Sequence, residues 1–310
     1  MPTPLLTARG EVVLSDDRRL AYSAAGPRDG FPVLYFHGAI GTPAHRSDGL
    51  EAEIARSGIR YLMVDRPGFG GSDPRPGRTV ADFASDVEQL ADALRFDRFS
   101  VVGTSAGAPY ALACAWRLRD RMHAAAAVSS IPPGLSALAA RGMDLRYRLP
   151  LFALGRWPRA IGRLADALIR LVRRRPGLVG RVMSAGASTA DRNLLADREA
   201  ATTAARSFLA ATARGAAPMV EDYLVVCHRG WGFDPADALG RVHLWHGSDD
   251  RLIPLEHVRP LAAALPNCLA SFTPNDGHFF FRARIHHILA PLLPARDVVS
   301  GTERSADLAA

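Results

Sequence analysis

The chain contains no lysine. All 38 of its basic side chains are arginine, the mark of a GC-rich coding sequence. A Walker-type phosphate loop needs a lysine, and so does a Schiff base to pyridoxal phosphate, so both chemistries are excluded. Cysteine is scarce. Cys114, Cys227 and Cys268 are far apart and odd in number, which fits reduced thiols in a cytoplasm and neither a zinc site nor a secreted disulfide framework. No apolar run reaches the roughly 18 residues of a membrane-spanning helix, so no stable membrane insertion is expected. No apolar stretch follows a basic N-terminus, so no signal peptide is expected and the location read from the sequence is cytoplasmic.

Charge excludes less. The net charge is +7, but the arginines are spread along the chain, with one cluster at Arg170, Arg173, Arg174 and Arg175. Few aromatics lie near that cluster and no nucleic-acid motif accompanies it, so nucleic acid is not an expected partner. The segment Ala167–Arg181 (ALIRLVRRRPGLVGR) suits a membrane surface. A solvated helix with an inward apolar face is the plainer expectation. What is present is an ordinary globular composition, 48% apolar and 22% charged over 310 residues, enough to build a core without covalent staples.

Apolar runs bounded by turn residues recur at Pro32–Gly38, Ile59–Gly68, Phe99–Ser105, Ala124–Ser130, Arg241–Gly247 and Leu269–Asn275. Near-continuous apolar strands belong to a parallel sheet covered on both faces. Helical patterns alternate with them. Thr79 opens one in capping-box style with Asp82 three residues on, and Val80, Phe83, Val87, Leu90 and Leu94 then share a face. Pro109–Asp120 and Phe279–Leu293 read as two more helices, and Glu11–Gly26 as an opening hairpin turning near Asp16-Asp17. The expected fold class is α/β, with a mostly parallel, helix-flanked central sheet. Residues 131–237 hold no strand pattern and are rich in Leu, Ala and Arg. They read as several short helices, punctuated by Pro132-Pro133, Pro150, Pro158 and Pro176-Gly177, inserted between two halves of a core at 1–130 and 238–295. Residues 296–310 read as a frayed tail.

The stretch Gly103-Thr-Ser105-Ala-Gly107 sits between a strand pattern and a helix pattern. A strand that turns directly into a helix crowds its neighbours, so the flanking positions must be nearly bare and the serine is held in a strained, exposed conformation. A serine nucleophile needs a base. His278 follows Asp276-Gly277 in the loop after the last strand pattern. His286 and His287 fall inside a helical pattern, where surface or packing roles suit them, and adjacent positions on a helix do not share a metal. His37 lies by a glycine turn, where it buttresses the loop. The base needs an orienting carboxylate, and Asp249 and Asp250 stand just past the fifth strand pattern. In Phe36–Gly41 (FHGAIG) the glycines let the backbone curl so that an amide faces the serine. Amides of Ala39 and Ala106 would form the oxyanion hole. Asp65–Asp73 (DRPGFGGSD) lacks dinucleotide-loop spacing and reads as a tight connection.

Together, YFHGAIG, VDRPGFGGSD, VVGTSAGAPYALA, LWHGSDDRLIP and NDGHF resemble the α/β-hydrolase superfamily, and within it the capped group of esterases, proline iminopeptidases and C–C hydrolases. The resemblance runs from about Val33 to Leu293. It implies a nucleophile at Ser105, a base at His278 and oxyanion donors at Ala39 and Ala106. It selects Asp250 over Asp249, because the family's acid stands three residues after the glycine of H-G-x-x-D. It implies that residues 131–237 form a cap. Ile40 departs from the Pro or Gly common in relatives.

The function expected is serine hydrolysis of an ester-like acyl bond in a small to medium, largely apolar molecule, with no cofactor and no metal. C–C hydrolysis, perhydrolysis or acyl transfer by the same triad is the alternative, and a binding protein on this scaffold is a third. A small-molecule substrate is the expected partner, with a homodimer left open.

Overall fold

The computed structural model describes residues 8–39, 48–135, 141–175 and 178–294. Eight strands form one sheet: β1 (Ala8–Val13), β2 (Arg19–Ala25), β3 (Pro32–Phe36), β4 (Arg60–Val64), β5 (Phe99–Thr104), β6 (Met122–Val128), β7 (Val242–Gly247) and β8 (Cys268–Thr273). Their order is β1-β2-β4-β3-β5-β6-β7-β8. β1 and β2 pair antiparallel, and β2 meets β4 antiparallel. The strands from β4 across to β8 are parallel. Each expected strand is present. The opening hairpin turns at Asp17, which takes a positive φ of 63°, a conformation Asp tolerates.

Alternation along the strands builds the core. On β4, Leu62 and Val64 face one side, while Tyr61 and Met63 face the other. The first side packs under α2 (Val80–Ala93), α3 (Ala108–Arg117) and α10 (Leu255–Ala264); the second packs under α1 (Asp48–Ser57) and α11 (Ile285–Leu289). Thr79 caps α2 as the sequence predicts: its amide donates to Asp82 at 2.7 Å and its hydroxyl accepts from the Asp82 amide. Val80, Phe83, Val87 and Leu90 are buried, each contributing about 1.5–3 kcal/mol by leaving water.

Between β6 and β7 lie α4 (Leu145–Arg156), α5 (Pro158–Arg174), α6 (Leu178–Ser184), α7 (Thr189–Ala196), α8 (Arg198–Ala211) and α9 (Ala217–Tyr223), with no strand among the described residues. Pro158 starts a helix, where its missing N–H costs nothing. Pro150, expected to punctuate, lies inside α4 instead. Pro176 and Gly177 lie outside the described residues, as does the 296–310 tail.

Two expectations are corrected. Phe279–Leu293 is not one helix. It divides into 3-10 turns at Phe280–Arg282 and Ala290–Leu292 around the short α11. A continuous helix would set Phe280 and Ile285 about 140° apart, yet both are buried against the same face of the sheet, so the chain breaks between them. The apolar face of α5 is also not simply inward. Ile169 and Val172 are buried, whereas Leu164, Leu168 and Leu171 face outward.

Candidate active site

Ser105 leaves β5 with φ at +52°, the left-handed region that a serine rarely occupies. A 3-10 turn, Ser105–Gly107, then enters α3. The flanking glycines are there for steric reasons. A Cβ on Gly103 would lie 2.3 Å from the Gly107 carbonyl oxygen, and one on Gly107 would lie 2.2 Å from that of Phe36. The helix thus begins directly after the serine, which places the positive end of the α3 dipole beside it.

Three chemistry-bearing residues from distant loops converge here. Ser105 Oγ lies 3.0 Å from His278 Nε2, and His278 Nδ1 lies 2.7 Å from Asp250 Oδ2. A carboxylate has no proton to give, so Nδ1–H donates to Asp250 and Nε2 is left to accept from the serine hydroxyl. The other oxygen of Asp250 accepts from the amides of Leu252 and Ile253 at 2.9 and 2.8 Å. Asp249 is exposed and takes a hydrogen bond from Ser248 at 3.2 Å; it does not reach the histidine loop with its side chain.

Burial works against charge at both His278 and Asp250, and each offsets it for the other. The pKa of His278 is pushed down by burial but lifted more by the Asp250 carboxylate and by Asp191, so it ends above the ordinary 6.5. That of Asp250 is raised by burial but held below 3.8 by the imidazole and by the Ile253 amide.

Ala39 lines the cavity beside the serine, and Ala106 is buried immediately after it. The loop bearing Ala39 passes close over the nucleophile: a Cβ on Gly38 would lie 3.3 Å from Ser105 Cβ. Ile40, the departure from the family pattern, lies outside the described residues. His37 buttresses this loop, as expected, with Nδ1 donating to the Gly38 carbonyl at 2.8 Å. Burial and then the nearby Arg66 lower its pKa to about 3, so it stays neutral. His286 pairs with Glu53 and Arg56 at the surface, away from the serine.

Other residues of the site carry no signal in the sequence. Asp191, on α7, accepts the amides of His278 at 2.9 Å and Phe279 at 2.8 Å. Ser188 donates to the same carboxylate at 2.9 Å. Gly277 permits this approach, since a Cβ there would lie 2.3 Å from Asp191 Oδ2. Ser129, at φ +48°, donates to the His278 carbonyl at 2.9 Å. His246 is buried, donates to the Ile253 carbonyl at 2.8 Å, and stands 3.4 Å from Asp250.

A cavity of about 220 Å³ opens on Ser105 and His278. Helices α6 to α8 contribute Met183, Leu194, Leu195, Ala200 and Ala204 to its wall. Leu252, Phe279 and Phe281 add to a mostly apolar lining, and Tyr35, Thr104, Thr203, Ser207 and Arg282 supply its polar groups. Tyr35 and Thr104 hydroxyls share a hydrogen bond of 3.0 Å.

A second polar cluster ties the inserted helices to the sheet. Asp222, at the end of α9, pairs with Arg66 and Arg78 and accepts from the Tyr110 hydroxyl at 2.7 Å, and all four are buried. Arg66 arises from the connection Asp65–Asp73, which is tight as expected: Gly71 donates to Asp65 at 2.9 Å.

A family model described as alpha/beta hydrolase fold matches residues 32–282. A non-heme chloroperoxidase of Streptomyces lividans is 33% identical over 126 residues, 40% of this chain and 45% of that one. A proline iminopeptidase of Xylella fastidiosa strain 9a5c is 32% identical over 109 residues, 34% of each chain. The chain thus spans less than half the length of these curated relatives. Among solved structures, an esterase from Thermogutta terrifontis superposes with a TM-score of 0.62 at 20% identity, covering 91% of this chain and 95% of that one. An alpha/beta hydrolase fold protein from Chitinophaga pinensis gives 0.67 at 18% identity, covering 93% and 98%. At such identities the likeness is one of fold.

Proposed function

The chain belongs to the alpha/beta hydrolase fold family, and on that premise we propose that it is a serine hydrolase that cleaves an ester-like acyl bond through an acyl-enzyme. One observation carries the proposal: the unbroken line of hydrogen bonds from Ser105 through His278 to Asp250, at 3.0 and 2.7 Å, with the serine held at positive φ. Ser105 Oγ attacks the carbonyl carbon while His278 Nε2 takes its proton. Asp250 keeps the imidazole in the correct tautomer and offsets its charge. The carbonyl oxygen becomes an oxyanion facing the amides of Ala39 and Ala106; one such donor contributes about 3 kcal/mol at the transition state. His278 returns the proton to the leaving alkoxide. Water then repeats the sequence on the acyl-serine, releasing the acid and restoring the hydroxyl.

The apolar wall supplied by α6 to α8 supports a cap role for residues 131–237 and a largely apolar acyl group of modest size. Ser105→Ala is expected to abolish turnover of a p-nitrophenyl ester in a protein that stays folded; unchanged turnover overturns the proposal.

The similarity to a protein named as a chloroperoxidase supports one second reading. Hydrogen peroxide replacing water at the acyl-serine would release a peracid and the free serine hydroxyl. Peracid formation from an ester donor and peroxide, lost in Ser105→Ala, distinguishes it from hydrolysis alone.

A further inference from the structure

Helices α4 and α5 expose the residues that a soluble surface normally hides. On α4, Leu145, Leu149 and Phe152 recur at i, i+4 and i+7, and all three are exposed. On α5, Leu164, Leu168 and Leu171 repeat that spacing, and Leu164 is 67% exposed. The two helices pack against each other. Trp157 stands at their junction, 55% exposed, with the Arg156 guanidinium over its ring. Six large apolar side chains left exposed along two packed helices, with Trp157 where they meet, mark an interaction site rather than ordinary surface scatter.

The charge around the patch names the partner. Residues 145–182 hold ten arginines and one acid, Asp166, for a local charge of +9. The whole chain carries +7, so the remainder is net negative by two. The positive charge is therefore concentrated in the segment that carries α4 and α5 and is not a general property of the molecule. Arg163, Arg170 and Arg174 flank the α5 leucines by helical spacing. No ion pair among the described residues neutralises these three. Asp166 is engaged elsewhere, accepting the Ala216 amide at 2.7 Å.

We propose that the α4–α5 face docks on an anionic lipid surface, leucines and Trp157 in the headgroup boundary and arginines on the lipid phosphates. Apolar stripes bordered by arginine, with an aromatic at the edge, are the composition of a helix lying in a membrane interface. A second copy of the chain fits poorly. A two-fold contact sets each patch against itself, which would oppose +9 with +9 over apolar side chains. A nucleic acid fits poorly too, since its phosphates would cover the leucines. No helix among the described residues is long and apolar enough to cross a membrane, so the attachment is peripheral. The docked face reaches the cavity wall through α4: the Tyr147 hydroxyl donates to the carbonyl of Met183 at 3.2 Å, and Met183 lines the cavity. A lipid-borne or membrane-dissolved acyl compound would then meet the cavity from the docked side. The docking itself does not depend on Ser105 being a nucleophile.

The test is flotation of the full chain with phosphatidylcholine vesicles, with and without about a third phosphatidylglycerol. The wild type should float with the anionic vesicles only, with a blue shift in tryptophan emission that Trp157→Phe removes. The triple variant Leu164→Ser/Leu168→Ser/Leu171→Ser keeps every charge. It should lose at least about tenfold in partitioning, with soluble-ester turnover and circular dichroism unchanged. If that variant fails to fold, Arg163→Gln/Arg170→Gln/Arg174→Gln should weaken flotation by a similar factor. Three outcomes overturn the proposal: no flotation with anionic vesicles, flotation that both triple variants retain in full, or a stable dimer by light scattering that the leucine variant dissolves.

Discussion

Asp191 accepts the backbone amide of His278 at 2.9 Å, and it does so from a helix 87 residues earlier in the chain. With the Phe279 amide and the Ser188 hydroxyl on the same carboxylate, the inserted helices hold the loop that carries the imidazole. The group works through His278 and touches no reacting atom, so it is a positioning residue. In Asp191→Asn we expect kcat to fall about tenfold to a hundredfold with KM nearly unchanged, because a small misplacement of the base is costly. The lost negative charge should also move the acid limb of kcat/KM to lower pH. A purely structural role would lower the melting temperature and leave that limb in place.

The pH profile of the wild type follows from the same pair. His278 must be neutral to accept the serine proton, and its pKa stands above 6.5, because Asp250 and Asp191 outweigh the effect of burial. Activity should therefore rise through a midpoint above pH 6.5. Asp250→Asn removes the larger attraction, so kcat should drop by about 10⁴ and any residual acid limb should fall below 6.5. The kcat/KM profile from pH 5 to 9 reads both.

Much of this was legible in the sequence because it is carried locally. Strand runs, the capping box at Thr79 and Asp82, and the bare positions around Ser105 each depend on neighbours a few residues away. The Ser, Asp, His order in loops after successive strands was legible for the same reason. Contacts made by the inserted helices were not. Nothing near Asp191 distinguishes it from a capping acid, and its partners are fixed only when α7 docks on the histidine loop. Asp222 looks like any helix acid until α9 lays it between Arg66 and Arg78. Periodicity showed that α5 has apolar stripes but not which way they face, because Ile169 and Val172 turn inward while Leu164, Leu168 and Leu171 turn out.

The elbow glycines should resist the smallest substitution. Gly107→Ala would press a methyl to 2.2 Å from the Phe36 carbonyl oxygen, in backbone that cannot yield cheaply. A loss of about 3 kcal/mol or more is expected in urea unfolding. Gly230→Ala, at an exposed position with nothing within 4 Å, should change stability by less than about 0.5 kcal/mol.

Asp222→Asn leaves Arg66 and Arg78 buried without a counter-charge. Destabilisation by about 3–5 kcal/mol is expected, read as a fall in melting temperature. In the wild type, burial raises the Asp222 pKa but the two guanidiniums hold it below 3.8. Its contribution is thus present above pH 3.8 and lost as pH falls through the lower, folded-state value.

Activation of Ser105 as a nucleophile can be read chemically. Its most direct measurement is labelling with a fluorophosphonate probe, followed by peptide mass spectrometry. We predict one phosphonyl group per chain, on Ser105, absent in Ser105→Ala and strongly slowed in His278→Ala. A folded protein that takes no label, or one whose label persists in Ser105→Ala, contradicts the account.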